Sequence, residues 1–344
     1  MNRRLSLLLA LALCAAPAAS GAQGPTEFAD ADSAALELPR LHSLLVGRNG
    51  EIVFEHYYNG TTPSRAANIK SASKSVISAL VGIAVDRGLI ADVRRPIGDF
   101  LPDLWEGETD ALKRTITVED LLTMRSGLET TSNRNYGPWV TSRNWVRFAL
   151  DQPLEAEPGT RMIYSTGSTH LLSALLTRVS GSDTRRFAQE HLAGPLGFSL
   201  ASWTRDPQGI YFGGNEMSMT PRQLLSFGDL YLNGGRTRDG SQVLSPEWVR
   251  ATFVARTPSP REQGRFYGYG WWIRDMAGYA THYGWGYGGQ FVFVVRGLDL
   301  VVVATSDPNP GDGRREHLRS VYDLVEDRIV RKVAELQERQ DTGW

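Results

Sequence analysis

The chain has 344 residues, of which 41% are hydrophobic and 22% are charged, so it can bury a sizeable core as one large domain or two intertwined ones. Its formal net charge of -1 gives no overall electrostatic attraction to nucleic acid or to an anionic membrane surface. Small molecules are therefore the expected binding partners, and neither nucleic acid nor a membrane is expected to bind the mature protein.

The first residues of the chain have the pattern of a secretory signal peptide. Two arginines precede an apolar run from Leu5 to about Ala16, and small residues suited to cleavage after Ala18 or Ala22 follow. A retained membrane anchor is the alternative, but a spanning helix needs roughly 18 to 20 apolar residues and this run is shorter. We therefore predict a signal peptide over 1–22 and a mature protein in the bacterial periplasm or outside the cell. The only cysteine, Cys14, would be removed with the signal peptide, so the mature protein would contain no disulfide.

The mature chain is expected to begin with antiparallel sheet. The stretch "LHSLLVGRNGEIVFEHYYNG" contains two strand-like runs around Asn49-Gly50, a dipeptide that readily adopts the positive backbone dihedrals of a tight hairpin. A helix is predicted from about Ser71, and Gly88 is suited to end it. This helix is apolar on nearly every side, which is typical of a helix in the core.

The middle of the chain, from about Ala91 to Leu244, is predicted to be helical or irregular. Two segments, "TVEDLLTMRSGL" and "STHLLSALLTRVSG", have apolar residues three and four apart and end near Gly127 and Gly181. From Tyr267 onward come three strand-like runs, "YGYGWWIRD", "GQFVFVVRG" and "LDLVVVATSD", followed by a charged amphipathic helix.

These elements predict an α+β (α/β) fold in which the strands come from both ends of the chain. An antiparallel sheet is expected from residues 23–90 and 245–344, flanked by the helix that begins at Ser71 and by the C-terminal helix. An all-helical lobe, residues 91–244, would be inserted between the two halves of this sheet domain.

Residues 71–74, "SASK", place Ser71 and Lys74 three apart at the start of the core helix, so their side chains share one helix face. A serine becomes a nucleophile when a base takes its proton, and a buried lysine can do so if its pKa falls from about 10.4 toward neutrality. Lys70, which directly precedes Ser71, carries a positive charge that could lower the pKa of Lys74 further. The alternative is that Ser71 caps the helix and Lys74 lies at the surface.

The sequence around Ser71 and Lys74 resembles that of the β-lactamase-related serine hydrolases. This family includes class C β-lactamases, DD-peptidases, family VIII-type esterases and 6-aminohexanoate-dimer hydrolases. "SASKSVISALVGIAVDRGLI" is similar to the family's S-x-x-K helix and "ITVEDLLTMRSGL" to its L-L-T-M/H-x-S-G-L block. "EPGTRMIYST" resembles the segment that leads to the catalytic tyrosine, and "HYGWGYGGQFVFVV" resembles the third motif, on an inner strand. The resemblance covers nearly the whole mature chain and implies a β-lactamase/transpeptidase-like fold.

The resemblance implies catalytic roles for four residues. Ser71 would attack the substrate, while Tyr164 would share a proton with Ser71 and Lys74 and pass it to the leaving group. The backbone N–H groups of Ser71 and Trp285 would form the oxyanion hole. Two different alignments of the third motif both select Trp285.

Four more residues of these motifs are predicted to contact the substrate: Thr166, His282, Gly284 and Gly286. The alternatives are that the histidine is a buried structural residue and that the glycines only permit close packing of strand and helix. Thr166 stands where the family has the asparagine of Y-x-N, and the third motif has no lysine. Both departures argue against an efficient β-lactamase or DD-peptidase.

The sequence therefore predicts a secreted serine hydrolase that cleaves small esters or linear amides through an acyl-enzyme on Ser71. The alternatives are a β-lactamase or DD-peptidase, and a ligand-sensing module without catalysis on the same scaffold. No cofactor or metal is expected, since the sequence has neither a metal-binding histidine motif nor a G-x-S-x-G elbow.

Overall fold

The computed structural model describes residues 26–342; the predicted signal peptide, 1–22, and Cys14 lie outside this range. The strands, in chain order, are β1 (Leu41–Arg48), β2 (Glu51–Tyr57), β3 (Ala67–Asn68), β4 (Ser218–Met219), β5 (Thr257–Pro258), β6 (Phe266–Tyr267), β7 (Trp272–Met276), β8 (Tyr279–Gly286), β9 (Gln290–Val295) and β10 (Leu300–Ser306). Eight of them form one antiparallel sheet in the order β2-β1-β10-β9-β8-β7-β6-β5, and β3 pairs separately with β4. The sheet therefore joins strands from both ends of the chain, as predicted.

The helices lie before, between and after the strands in the chain. They are α1 (Ala29–Leu36), α2 (Ser73–Asp86), α3 (Val118–Leu122), α4 (Tyr136–Val140), α5 (Trp145–Asp151), α6 (Thr166–Ser180), α7 (Thr184–Ala188), α8 (Pro221–Leu232), α9 (Pro246–Thr252), α10 (Arg314–Asp323) and α11 (Arg331–Thr342). Wider π-helical turns, Leu324–Val330, join α10 to α11 into the predicted C-terminal helix. None of the helices within residues 26–342 has the length and apolar character needed to span a membrane.

Both faces of the sheet are covered, which explains why its central strands are almost continuously apolar. In β9, Val292 and Val294 belong to a core cluster that includes residues of α2 and α8. Phe291 and Phe293 alternate with them and belong to a second cluster with residues of α1, α10 and α11. Successive side chains of one strand thus enter two different cores.

Several predicted local elements are confirmed. Asn49 and Gly50 have φ values of 51° and 78° and close the hairpin of β1 and β2. Helix α6 ends at Gly181, whose φ is 66°. Helix α3 is shorter than predicted, because the backbone of Met124, with φ of 61°, cannot continue a right-handed helix toward Gly127.

The predicted core helix is present with one difference at its start. A turn of 3-10 helix, Lys70–Ala72, precedes α2, so Ser71 lies in this first turn. Every residue from Ser73 to Ala84 is buried. A Cβ at Gly82 would lie 2.3 Å from the Trp248 indole nitrogen, so the close packing of α2 against α9 requires glycine there.

Between the two halves of the sheet, α3, α5 and α7 pack around α6, which also contacts α2. This arrangement corresponds to the predicted helical lobe, 91–244, whose limits stay a prediction. Helix α8 lies inside that range but packs against β1, β9 and β10. The chain therefore returns to the sheet before residue 244.

Candidate active site

The serine and lysine of "SASK" are in direct contact. Lys74 Nζ lies 3.1 Å from Ser71 Oγ, because the two residues are one helical turn apart on the same face. Lys74 is only 1% exposed, whereas Ser71 is partly exposed to solvent. The alternative that Lys74 is a surface residue is therefore wrong.

Two further contacts orient the lysine amine. Nζ lies 2.8 Å from the Gly214 carbonyl oxygen and 3.2 Å from Thr166 Oγ1. A neutral amine has two N–H donors and one lone pair, and a carbonyl can only accept. When one N–H donates to Gly214 and the other to Thr166, the lone pair of Lys74 is directed at the Ser71 hydroxyl.

Burial alone accounts for the acidity of this lysine. Removal of the amine from water lowers the pKa of Lys74 to about 7. Lys70 was expected to assist, but its Nζ lies 2.9 Å from Glu216 Oε1, and this ion pair compensates its charge. The pKa of Lys74 is therefore lowered by desolvation and not, as predicted, with the help of the Lys70 charge.

Tyr164 lies beside the lysine on the other side of the cleft. Lys74 Nζ is 5.2 Å from the centre of its ring, which stacks on Trp272 at 5.8 Å. Burial raises the pKa of the Tyr164 phenol to about 12, opposed in part by hydrogen bonding with Ser71 and by the positive charge of Arg265. The phenol therefore keeps its proton at neutral pH.

Thr166 lies at the N-terminus of α6, but its side chain is directed into the protein. It is 4% exposed, and its hydroxyl lies 3.0 Å from Ser132 Oγ as well as near Lys74. Ser132 Oγ also accepts a hydrogen bond from the Thr166 N–H at 3.0 Å. The structure thus places Thr166 as a partner of the lysine rather than as the predicted substrate contact.

The glycines of the third motif face the nucleophile helix. A Cβ at Gly284 would lie 2.9 Å from Ser75 Oγ, and one at Gly286 would lie 2.1 Å from the carbonyl oxygen of Ile69. Strand β8 can approach the start of α2 this closely only because both residues lack a side chain. The alternative of close packing therefore describes these two glycines better than the predicted contact with substrate.

The same approach brings β8, with Trp285 between these two glycines, against the turn Lys70–Ala72 that contains Ser71. The Gly286 carbonyl accepts a hydrogen bond from the Gly289 N–H in the turn toward β9. Successive residues of a strand direct their backbone groups to opposite edges, so those of Trp285 face away from β9. That edge is open, because the pairing of β7 with β8 stops where Trp272 lies opposite Tyr283.

His282 lies on β8 with its side chain buried. It is 8% exposed, and its ring stacks on Phe253 with centroids 3.9 Å apart. Burial, together with the positive charge of Arg296, lowers the pKa of His282 to about 4, so the ring is neutral. This position agrees with the structural alternative and removes His282 as a source of positive charge for the substrate.

Two contributors to the site were not recognised in the sequence. Gly214 supplies its carbonyl to Lys74, and Ser132 fixes Thr166. The dipeptide Gly213-Gly214 was the only available signal: Gly214 has φ of 109°, and a Cβ there would lie 2.9 Å from Lys74 Cγ. Within residues 26–342, no group of three or more histidine, cysteine, aspartate or glutamate side chains is arranged to hold a metal ion.

The model of the beta-lactamase family matches residues 40–326, which is most of the chain. The chain belongs to this family of serine hydrolases. Its fold is therefore the β-lactamase/transpeptidase-like fold that the resemblance implied.

Three relatives illustrate the range of this family. The 6-aminohexanoate-dimer hydrolase of Paenarthrobacter ureafaciens is 27% identical over 303 residues, which are 80% of this chain and 74% of that protein. A solved Bacillus anthracis protein, provisionally assigned as a 6-aminohexanoate-dimer hydrolase, has a TM-score of 0.74 at 19% identity and covers 88% of this chain and 81% of its own. A solved family VIII carboxylesterase has a TM-score of 0.66 at 17% identity, with coverages of 88% and 98%. The two solved structures support the fold alone.

Proposed function

We propose that this hydrolase is secreted and cleaves small esters or linear amides through a covalent acyl-enzyme on Ser71. Lys74 is the general base, and Tyr164 gives a proton to the leaving group. The backbone N–H groups of Ser71 and Trp285 form the oxyanion hole. Small ester or amide molecules are its partners, and its chemistry uses these side chains without a cofactor.

The buried contact between lysine and serine carries this proposal. The two side-chain atoms are 3.1 Å apart, within the range for direct proton transfer, and Lys74 is 1% exposed. Burial of an amine is costly in free energy, so such a lysine is expected where its chemistry is used. With a pKa of about 7, a large share of Lys74 is unprotonated at neutral pH and can accept the serine proton.

The first half of the reaction acylates the serine. Ser71 Oγ attacks the carbonyl carbon of the substrate while Lys74 takes the hydroxyl proton. The two backbone N–H groups stabilise the negative charge that develops on the carbonyl oxygen. As the bond to the leaving group breaks, Tyr164 donates its proton to the departing alcohol or amine and regains one from Lys74.

The second half returns the enzyme to its starting state. Water attacks the carbonyl carbon of the acyl-enzyme and gives its proton to Lys74. The tetrahedral intermediate is held by the same two N–H groups. When it collapses, Ser71 Oγ leaves with a proton from the lysine, and the carboxylic acid product is released.

Two features favour simple esters and linear amides over β-lactams and peptidoglycan. Thr166 has no amide group with which to contact an acylamino side chain, and its hydroxyl is already used inside the site. His282 is buried and neutral, so the third motif offers no cation to a substrate carboxylate there. The relative from Paenarthrobacter ureafaciens, named a 6-aminohexanoate-dimer hydrolase, supports a linear amide.

Secretion is proposed from the pattern of residues 1–22. When the full chain is produced in a bacterium, we expect the protein in the periplasm or the medium, with a mature N-terminus at residue 23. Deletion of 1–22 should leave the protein in the cytoplasm. A full-length mass in the membrane fraction would contradict this part of the proposal.

The test of the catalytic proposal is hydrolysis of p-nitrophenyl butyrate by the mature protein and by Ser71→Ala. We expect the parent to turn over this ester and the variant to lose at least about 1,000-fold in kcat/KM, because the nucleophile is gone. Mass spectrometry of acid-quenched samples should detect a butyryl adduct on the parent only.

Two results would change the proposal. A Ser71→Ala variant as active as the parent would show that Ser71 is not the nucleophile. Faster turnover of nitrocefin than of the ester would favour the β-lactamase alternative. A panel of linear amides and esters then defines the leaving group in the active protein.

A further inference from the structure

The loop Gly213–Glu216, here called the GGNE loop, holds the proposed base. The carbonyl oxygen of Gly214 accepts a hydrogen bond from Lys74 Nζ at 2.8 Å. From the other side, the Gly213 N–H donates to His170 Nδ1 at 3.3 Å, which fixes the loop against α6. The loop therefore fixes the position of Lys74, one of the two residues of the catalytic pair.

The last residue of the GGNE loop, Glu216, contacts the residues that come just before Ser71. Its carboxylate oxygens lie 2.6 Å from Asn68 Nδ2 and 2.9 Å from Lys70 Nζ. Asn68 Oδ1 in turn accepts a hydrogen bond from the Lys70 N–H at 3.0 Å. The pairing of β3 with β4 joins the two backbone segments beside these contacts.

The backbone at both ends of the ion pair is strained. Lys70 has φ of 49° and Glu216 has φ of 50°, in the left-handed region that residues with a side chain rarely adopt. Such conformations persist where surrounding contacts impose them. Lys70 immediately precedes Ser71, so its dihedrals determine where the serine side chain lies relative to Lys74.

We infer that Glu216 is a positioning residue that holds the strained turn at Lys70 and thereby places Ser71 against Lys74. The inference rests on the proposed function, since it requires Ser71 as the nucleophile. Glu216 acts through Asn68 and Lys70 and does not need to touch the substrate. The GGNE loop thus fixes the base through Gly214 and the nucleophile through Glu216.

The test is Glu216→Gln, which keeps the shape of the side chain but removes its charge. Displacement of the nucleophile lowers the rate of chemistry more than binding, so we expect kcat on p-nitrophenyl butyrate to fall about 10- to 100-fold and KM to change less than about threefold. The rate of Ser71 modification by a fluorophosphonate should fall by a similar factor, because it reports the nucleophile without the natural substrate.

Glu55→Gln is the matched control. Glu55 also forms an ion pair, with two hydrogen bonds from Arg222 at 2.7 Å each. It lies on β2, at the opposite side of the sheet from β8, with β1, β10 and β9 between. We expect Glu55→Gln to change the thermal unfolding midpoint at least as much as Glu216→Gln, and to leave kcat within about twofold of the parent.

Two further variants distinguish a role of Glu216 in positioning Ser71 from a role in neutralising the charge of Lys70. Lys70→Met removes the other partner and should lower kcat in the same way as Glu216→Gln. The double variant Glu216→Gln/Lys70→Met has no uncompensated charge, yet it lacks the contacts that hold the turn. We expect the double variant to be as impaired as either single variant. Recovery of the parent kcat in the double variant would show that Glu216 only neutralises Lys70, and would overturn the inference.

The outcome of Ser71→Ala distinguishes a failure of this inference from a failure of the proposed function. If Ser71→Ala is inactive while Glu216→Gln keeps the kcat and labelling rate of the parent, the inference is wrong and the proposed function stands. If Ser71→Ala is as active as the parent, the proposed function and the inference fail together.

Discussion

At the scale of single residues, burial has the same effect on two groups of opposite kind. It lowers the pKa of the Lys74 amine to about 7 and raises that of the Tyr164 phenol to about 12. Each shift favours the uncharged form. A free base and a protonated acid therefore exist side by side at neutral pH, as a reaction that needs both requires.

This pair predicts the pH dependence of the reaction. Because the unprotonated amine of Lys74 is the active form, kcat/KM should increase about tenfold per pH unit below its pKa and level off above about pH 7. The measurement is hydrolysis of an uncharged ester across this range. Tyr164→Phe should lower the plateau without moving the midpoint, since the midpoint belongs to the lysine. A flat profile between pH 6 and 8 would contradict the assignment of Lys74.

The residues that the sequence could identify are those whose spacing is local or whose motif is distinctive. Ser71 and Lys74 follow from a helical turn, and Tyr164 from the resemblance; the structure brings all three together. The direction of a side chain was harder to predict. Thr166 and His282 were expected in the cleft, but hydrogen bonding to Ser132 and stacking on Phe253 direct them into the protein. These partners are distant in sequence and leave no local pattern.

At the scale of elements, the site depends on how closely β8 approaches the start of α2. The glycines of β8 permit this contact, and the pairing of β7 with β8 stops at Tyr283, before it reaches Trp285. The strand was recognisable from its motif, whereas its unusually close packing against the helix was only an alternative. How closely two elements approach depends on whether glycines lie at their contact. The sequence contains the glycines but does not show which element packs against them.

The close contact predicts the effect of Gly286→Ala. The new Cβ would lie 2.1 Å from the Ile69 carbonyl oxygen, so β8 or the turn before α2 must move. We expect kcat to fall by about 100-fold or more, because the Trp285 N–H moves relative to Ser71. Steady-state kinetics and thermal unfolding would measure the effect.

Gly311→Ala is the control for this substitution. No atom lies within 4 Å of the added Cβ at that position, so both kcat and the unfolding midpoint should stay close to those of the parent. Equal activity of the two alanine variants would show that the spacing between β8 and the helix does not matter for catalysis.

At the scale of the whole molecule, the buried lysine links catalysis to stability. The pKa of Lys74 is lower in the folded state, about 7, than in the unfolded chain, about 10.4. Between these values the unfolded state binds more protons, so the free energy of unfolding gains a contribution that increases with pH. Below pH 7 both states are protonated, and the full penalty of burying the charge remains.

Lys74→Met removes this contribution and gives the corresponding prediction. The stability of the parent relative to the variant should increase by up to about 1.4 kcal/mol per pH unit between pH 7 and pH 10. Urea unfolding of both proteins at pH 7, 8 and 9 measures this difference. A difference that is constant over this range would mean that Lys74 has an ordinary pKa in the folded protein.

The order of the strands also constrains how the molecule forms. On one side β1 pairs with its neighbour β2, but on the other it pairs with β10, where Leu44 lies opposite Ala304. The β1–β2 hairpin, in which β1 is mostly apolar, therefore leaves the ribosome long before the strand that covers its free edge, and pairings so distant in the chain form slowly. Until then this edge can associate with other nascent chains. The centre of the sheet closes last, so a chain that stops short of β10 has no completed sheet against which the Ser71 helix can pack.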